Sequence, residues 1–146
     1  SEMCIRDSYL DETNRRMTLN FRNNFARLAD ELIRKGESEK AEKVLDKCIE
    51  VMPNEAVSYN YFNLPLAEAY YKIGKNEKGR AIIEILIDRY FDELDYINSI
   101  EPKQRGSMER DNQIANQVVG SLYSLTNQYQ EQDLLEKIET QYKSLQ

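Results

Sequence analysis

Apolar residues recur along this chain at spacings of three and four, with polar residues between them. That period is the mark of a helix with one buried face. Phe21, Phe25, Leu28 and Leu32 form the first stripe. Its helix is expected from about Thr13 to Gly36, where a left-handed cap suits glycine. Ser38 is the expected N-cap of a second helix, with the stripe Ala41, Val44, Leu45, Cys48, Ile49 and Met52, and Pro53 closes it. Residues 54–61 read as an irregular loop. Pro65 suits the first turn of a short third helix that carries Leu66, Ala69, Tyr70 and Ile73 and ends at Gly74. Asn76 caps a fourth helix, whose stripe Ile82, Ile83, Leu86, Tyr90, Leu94 and Ile97 runs to about Ile100. Beyond a turn-rich segment at 101–107, a fifth helix carries Ile114, Val118, Leu122 and Leu125. A polar break at 127–132 leads to a sixth with Leu134, Leu135, Ile138, Tyr142 and Leu145. The expected fold is all-α, six helices paired as three antiparallel hairpins.

The first two hairpins align with each other. Leu28-Ala29, Leu32, Gly36, Ala41, Leu45, Cys48 and Pro53 match Leu66-Ala67, Tyr70, Gly74, Gly79, Ile83 and Leu86. The pattern resembles the tetratricopeptide repeat: a large residue then a small one on the first helix, a turn glycine, a small residue on the second helix and a final proline. Small residues at Ala29, Ala67, Ala41 and Gly79 let the paired helices approach closely, and large ones fill the space between neighbouring hairpins. The units are expected at about 22–55, 60–93 and 110–146. Gly74 lies 38 residues after Gly36, against about 34 for the repeat, which places roughly four extra residues in the loop at 54–61. The third unit matches weakly, with Val119-Gly120 and Tyr123 echoing the first helix and Asn127 where the glycine would be, as in a terminal capping hairpin. The resemblance implies a tetratricopeptide-like right-handed superhelical stack.

Composition narrows the function. Hydrophobic residues make up 40% of the 146 and charged residues 32%, enough to bury one domain's core. The net charge of −6 and the scattered basic residues argue against nucleic acid as a partner. The densest basic group, Arg15, Arg16, Arg22 and Arg27, is offset by Asp11, Glu12 and Asp30. With no histidine there is no histidine base or His-based triad, and no zinc site is expected. Phosphate-binding glycine loops and a GxSxG elbow are absent too. No catalytic residue, cofactor or metal is therefore assigned. Glu84, Asp88, Asp92 and Asp95 share a helix face, which is a cation stripe, half of an acid–base pair or a solvated surface. Cys48 reads as a small buried hydrophobe. No apolar run is long enough to span a membrane.

Tyrosines cluster at Tyr59, Tyr61, Tyr70 and Tyr71, beside Phe62. Tyr70 lies on its helix stripe and is expected in the core, whereas Tyr61 and Tyr71 lie off it and are expected at the surface. Tetratricopeptide arrays bind along the surface lined by their first helices. Position in the repeat places Asn23, Arg27, Asp30 and Arg34 of the first unit there, with Tyr61, Glu68, Tyr71 and Lys72 of the second. This mixed polar surface suits a protein or an extended peptide, or another domain of the same polypeptide. The other reading is a merely solvated groove.

A longer resemblance covers residues 9–146. It rests on Tyr9-Leu10-Asp11-Glu12-Thr13-Asn14-Arg15-Arg16-Met17, Arg22-Asn23-Asn24-Phe25-Ala26-Arg27-Leu28-Ala29, Val44-Leu45-Asp46-Lys47-Cys48, Met52-Pro53 and Tyr70-Tyr71-Lys72-Ile73-Gly74. Together these resemble the C-terminal end of a bacterial family of multi-span, protein O-mannosyltransferase-like membrane proteins. The resemblance implies a soluble helical-repeat tail, on the periplasmic face of the inner membrane, of a protein whose catalytic residues lie elsewhere. A free-standing cytoplasmic adaptor and a purely structural or dimerising tail remain the alternatives. Residues 1–8 fall outside the resemblance and precede the clear periodicity. They resemble translated adapter sequence and read as a non-native leader, Cys4 included.

Overall fold

A computed structural model describes residues 2–146, with side chains described for 16, 17 and 20–146. The side chains of the expected leader, Cys4 among them, and of residues 9–15 lie outside the described residues. The described chain is all-helical: α1 (Glu2–Arg34), α2 (Ser38–Val51), α3 (Leu64–Lys72), α4 (Asn76–Ser99), α5 (Glu109–Gln128) and α6 (Gln132–Ser144). Short 3-10 segments at Tyr61–Asn63 and Pro102–Met108 lead into α3 and α5. The six expected helices are all present. None among the described residues is long and apolar enough to cross a membrane.

The chain forms two compact units, Ser1–Gly79 and Arg80–Gln146. In the first, α1 packs on α2 and α3, and α2 packs on α3. Its core holds Ala26, Ala29, Ala41, Leu45, Cys48, Tyr59, Leu66, Ala67 and Tyr70. Small residues line the seams as expected. A Cβ on Gly79 would lie 3.0 Å from the Ala67 carbonyl oxygen and 2.8 Å from two ring carbons of Tyr71. In the second unit α5 packs on α6. Ile83, Leu86, Ile87, Tyr90 and Leu94 are buried, as are Val118, Leu122, Leu134 and Ile138. Ion pairs tie α4 to α6. Arg80 meets Glu131 at 2.8 Å as well as Asp133, and Lys137 meets Asp88 at 2.7 Å.

Three interhelical turns share one hydrogen-bond scheme. After α1, the Gly36 N–H donates to Ile33 O and the Glu37 N–H to Leu32 O. After α3, Gly74 donates to Tyr71 O and Lys75 to Tyr70 O. After α5, Gln130 donates to Asn127 O and Glu131 to Thr126 O. This is the Schellman arrangement, which needs a left-handed residue just past the helix. Gly36 and Gly74 supply it at φ 78°, and Gln130 at φ 57°. The next helix then starts alike each time, with Ala41, Gly79 and Leu135 donating to the carbonyls of Glu37, Lys75 and Glu131.

Several expectations are corrected. The first helix begins at Glu2 rather than near Thr13, because no glycine or proline interrupts residues 1–35 and nothing stops it. Glu37, not Ser38, is the N-cap of α2. In the third hairpin the turn residue is Gln130, so the register moves three places from the one centred on Asn127. Thr126, not Tyr123, then matches Leu32 and Tyr70, and it is buried with its hydroxyl on Leu122 O at 2.8 Å. The inward face of α1 is also not the expected apolar stripe. Arg22, Ala26 and Ala29 are buried, while Leu28 is 50% exposed and Phe21, Phe25 and Leu32 are only half-buried. The two faces share a helical period and differ in phase by about one residue. Close approach of α2 selects the one with small side chains.

Candidate partner-binding surface

The packing of α1 on α3 gathers part of the expected surface. Lys72 Nζ on α3 lies 3.8 Å from Asp30 on α1 and 4.0 Å from Glu68, one turn back on α3. The three side chains are roughly half exposed. Such exposed pairs contribute about 0–1 kcal/mol each, so they position charge more than they stabilise. Arg34 is engaged by Glu31, one turn away. Arg27 is exposed and Asn23 half-buried. Tyr61 is exposed, as expected, and its ring packs at 4.6 Å on Phe62. Tyr71 is not at the surface. It is 4% exposed and its ring lies against the bare Gly79 backbone. Without a Cβ, Gly79 leaves a seat that an aromatic ring fills, and burial of the ring wins over its position beside the stripe.

Behind this surface runs a polar network. The buried Tyr70 hydroxyl donates to Asp46 Oδ1 at 2.8 Å. Lys78 Nζ reaches both Asp46 oxygens at 3.0 and 2.9 Å and Glu42 at 3.2 Å. Burial, with the Asp46 carboxylate beside it, pushes the Tyr70 hydroxyl well above its ordinary value. The ammonium of Lys78 is held charged chiefly by its bond to Asp46. These groups brace α2 against α3 and the start of α4.

The largest fully buried side chain escaped the sequence reading. Arg22 is 0% exposed. Its guanidinium donates to the carbonyls of Val57 at 2.6 Å, Ser58 at 3.2 Å and Met52 at 3.2 Å, and it sits 5.1 Å from the centroid of Tyr59. It therefore holds the loop between α2 and α3. Arg22 stands four residues before Ala26 and seven before Ala29, on the small-residue face, and that spacing is the signal that could have found it.

The acidic stripe on α4 is divided by its neighbours. Glu84 pairs with Arg80, Asp88 with Lys137, and Asp92 and Asp95 are exposed. Among the described residues no three metal-capable side chains converge. Cys48 is buried, and loss of solvation pushes its thiol up to about 11 despite nearby Arg22.

A second concavity lies in the other unit, between α5 and α6. It has a volume of about 370 Å³ and is walled mostly by apolar atoms, with Val119, Gly120, Tyr123, Ile138 and Tyr142 in its lining. No motif in the sequence announces it. No family profile, curated protein or solved structure matches the chain.

Proposed function

We propose that the chain is a non-catalytic, tetratricopeptide-like interaction module. Its α1–α3 surface binds an extended peptide or a neighbouring domain. The observation that carries this reading is the convergence of Asp30, Glu68 and Lys72 from two helices onto one exposed polar surface, with Arg27 and Arg34 nearby on α1. The shared turn scheme supports the repeat assignment, since recurrent hairpins present their first helices in recurrent register. Resemblance to the tail of O-mannosyltransferase-like membrane proteins supports placing the module beside a membrane glycosyltransferase, where it would hold an acceptor protein or a partner subunit.

The test is selection of peptides from a displayed random library on the purified chain, followed by titration of the enriched sequences. Arg27→Ala and Lys72→Ala are expected to weaken binding about tenfold each, a loss of about 1.4 kcal/mol. Arg110→Ala, on exposed α5, serves as the control and leaves binding unchanged. Enriched peptides that ignore both surface changes would refute the assignment.

A further inference from the structure

The groove between α5 and α6 gains meaning when the hairpins are superposed by register on Gly36, Gly74 and Gln130, whose turns have the same hydrogen bonds. Groove residues Gly120, Tyr123, Glu139 and Tyr142 then correspond to Ala26, Ala29, Leu45 and Cys48 of the first hairpin. Those four are all buried, and the helices that carry them are the ones on which α3 packs. In the third hairpin this seat is open, with Tyr123 41% and Tyr142 44% exposed. It is a receiving site for a helix that stands to α5 and α6 as α3 stands to α1 and α2.

The same superposition shows what fits it. The residues that α3 and its lead-in bury in the first unit include Tyr59, Leu66 and Tyr70. The counterparts of Leu66 and Tyr70 one hairpin earlier are Leu28 and Leu32 on α1, with Phe21 on the same stripe. These form the stripe that does not enter the core, with Leu28 half exposed and Met17 exposed one turn before Phe21. The chain thus carries an open stripe on α1 and, at the register of the internal seat, an open groove lined by larger side chains, with Tyr123, Glu139 and Tyr142 in place of Ala29, Leu45 and Cys48. Of the ion pairs that flank the internal contact, Lys78–Glu42 at 3.2 Å corresponds to Lys40 and Glu136, opposite in sign and both exposed, whereas Lys75–Glu42 corresponds to two glutamates, Glu37 and Glu136.

The geometry points to self-association in which α1 of one copy docks through Phe21, Leu28 and Leu32 into the α5–α6 groove of a second copy. The contact is heterologous, because the two faces are different surfaces of the chain. It follows the register of the internal docking of α3. It uses a different face from the peptide-binding surface proposed above, so either reading stands without the other.

The experiment is sedimentation velocity on the full chain across a concentration series up to about 1 mM, which reveals contacts as weak as the millimolar range. The wild type is expected to gain mass with concentration. Leu28→Glu spoils the inserted face and Tyr142→Glu the groove. Both positions are exposed, and circular dichroism checks that each variant keeps its helicity. Each alone is expected to be a monomer, whereas a one-to-one mixture forms a dimer and nothing larger, because one intact face remains on each partner. Lys40→Glu and Glu136→Lys are expected to weaken association about fivefold each, and the double variant to recover it. A wild type that stays monomeric throughout overturns the proposal. Loss of association in Leu28→Glu with no recovery in the mixture also overturns it, since that is pairing of α1 with α1.

Discussion

Gln130 makes the sharpest test of the turn chemistry. It sits at φ 57°, where an L-residue with a Cβ is roughly 1–2 kcal/mol worse off than in the right-handed region. Its side chain is exposed, so truncation gives up little packing. Glycine removes the strain but returns about 0.5–1 kcal/mol through the freedom of the unfolded chain. Gln130→Gly is therefore expected to stabilise by about 0.5–1 kcal/mol. The mirror experiment is Gly36→Ala or Gly74→Ala. A Cβ at either position meets nothing within 4 Å, so the cost is backbone strain alone, about 1 kcal/mol. Urea unfolding followed by far-ultraviolet circular dichroism measures all three, with the denaturant slope compared to the wild type. Amide exchange in α5 and α6 localises the Gln130 effect to its own hairpin. If Gln130→Gly lowered stability while Gly36→Ala left it unchanged, the shared Schellman scheme would be wrong.

Four further outcomes follow from packing and charge. Gly79→Ala gains helix propensity of about 1 kcal/mol but drives a methyl into the Tyr71 ring and the Ala67 carbonyl, so a net loss of about 1 kcal/mol is expected in the same unfolding assay; Gly120→Ala, with open space at its Cβ, gains about 0.5–1 kcal/mol instead. Arg22→Leu strips three loop carbonyls of their donor and is expected to cost about 2–4 kcal/mol, read as a drop in melting temperature with lost protection at residues 52–58. The Cys48 thiol ionises near 9.0 when unfolded and near 11 when folded, so its contribution is complete below pH 9 and is lost as pH rises towards 11; Cys48→Ala should flatten that alkaline slope. Asp133 is held down to about 2 by Arg80, so its contribution is present above pH 4 and lost as pH falls towards 2, and Asp133→Asn should remove that part of the acid transition.

The helices were legible because their punctuation is strong. Pro53, Gly36, Gly74, Pro65 and Pro102 each stand at or beside a boundary, and the buried stripe of α4 falls where the periodicity puts it, as do Val118, Leu122 and Leu125 of α5 and Leu134, Leu135 and Ile138 of α6, whereas Tyr142 is exposed. The phase of α1 was not legible. Two adjacent faces, one large and apolar, one small with an arginine, satisfy the same period, and only the partner helix decides between them. Gln130 was missed because a turn glycine is a sequence signal and a left-handed glutamine is not. The candidate surface was readable where it depended on helix position alone, as with Asp30, Glu68 and Lys72. It failed at Tyr71, whose burial depends on a glycine eight residues away across a turn. The groove between α5 and α6 was invisible for a related reason: it is made by what the third hairpin lacks.

That lack can be traced to one pair of positions. In the first two hairpins the seam beside the turn is small against small, Ala29 with Ala41 and Ala67 with Gly79, and all four are buried. The third hairpin keeps the turn hydrogen bonds but places Tyr123 and Leu135 at those positions. Two large side chains cannot share a seam built for a methyl and a hydrogen. Leu135 takes the inside, at 8% exposure, and Tyr123 stays exposed with its hydroxyl 3.3 Å from Glu139. The sequence repeat fades at the same residues where the packing changes. The turn chemistry specifies that a hairpin forms, and the seam residues specify how closely it shuts. The third hairpin has the first without the second, and its unclosed side is the apolar groove.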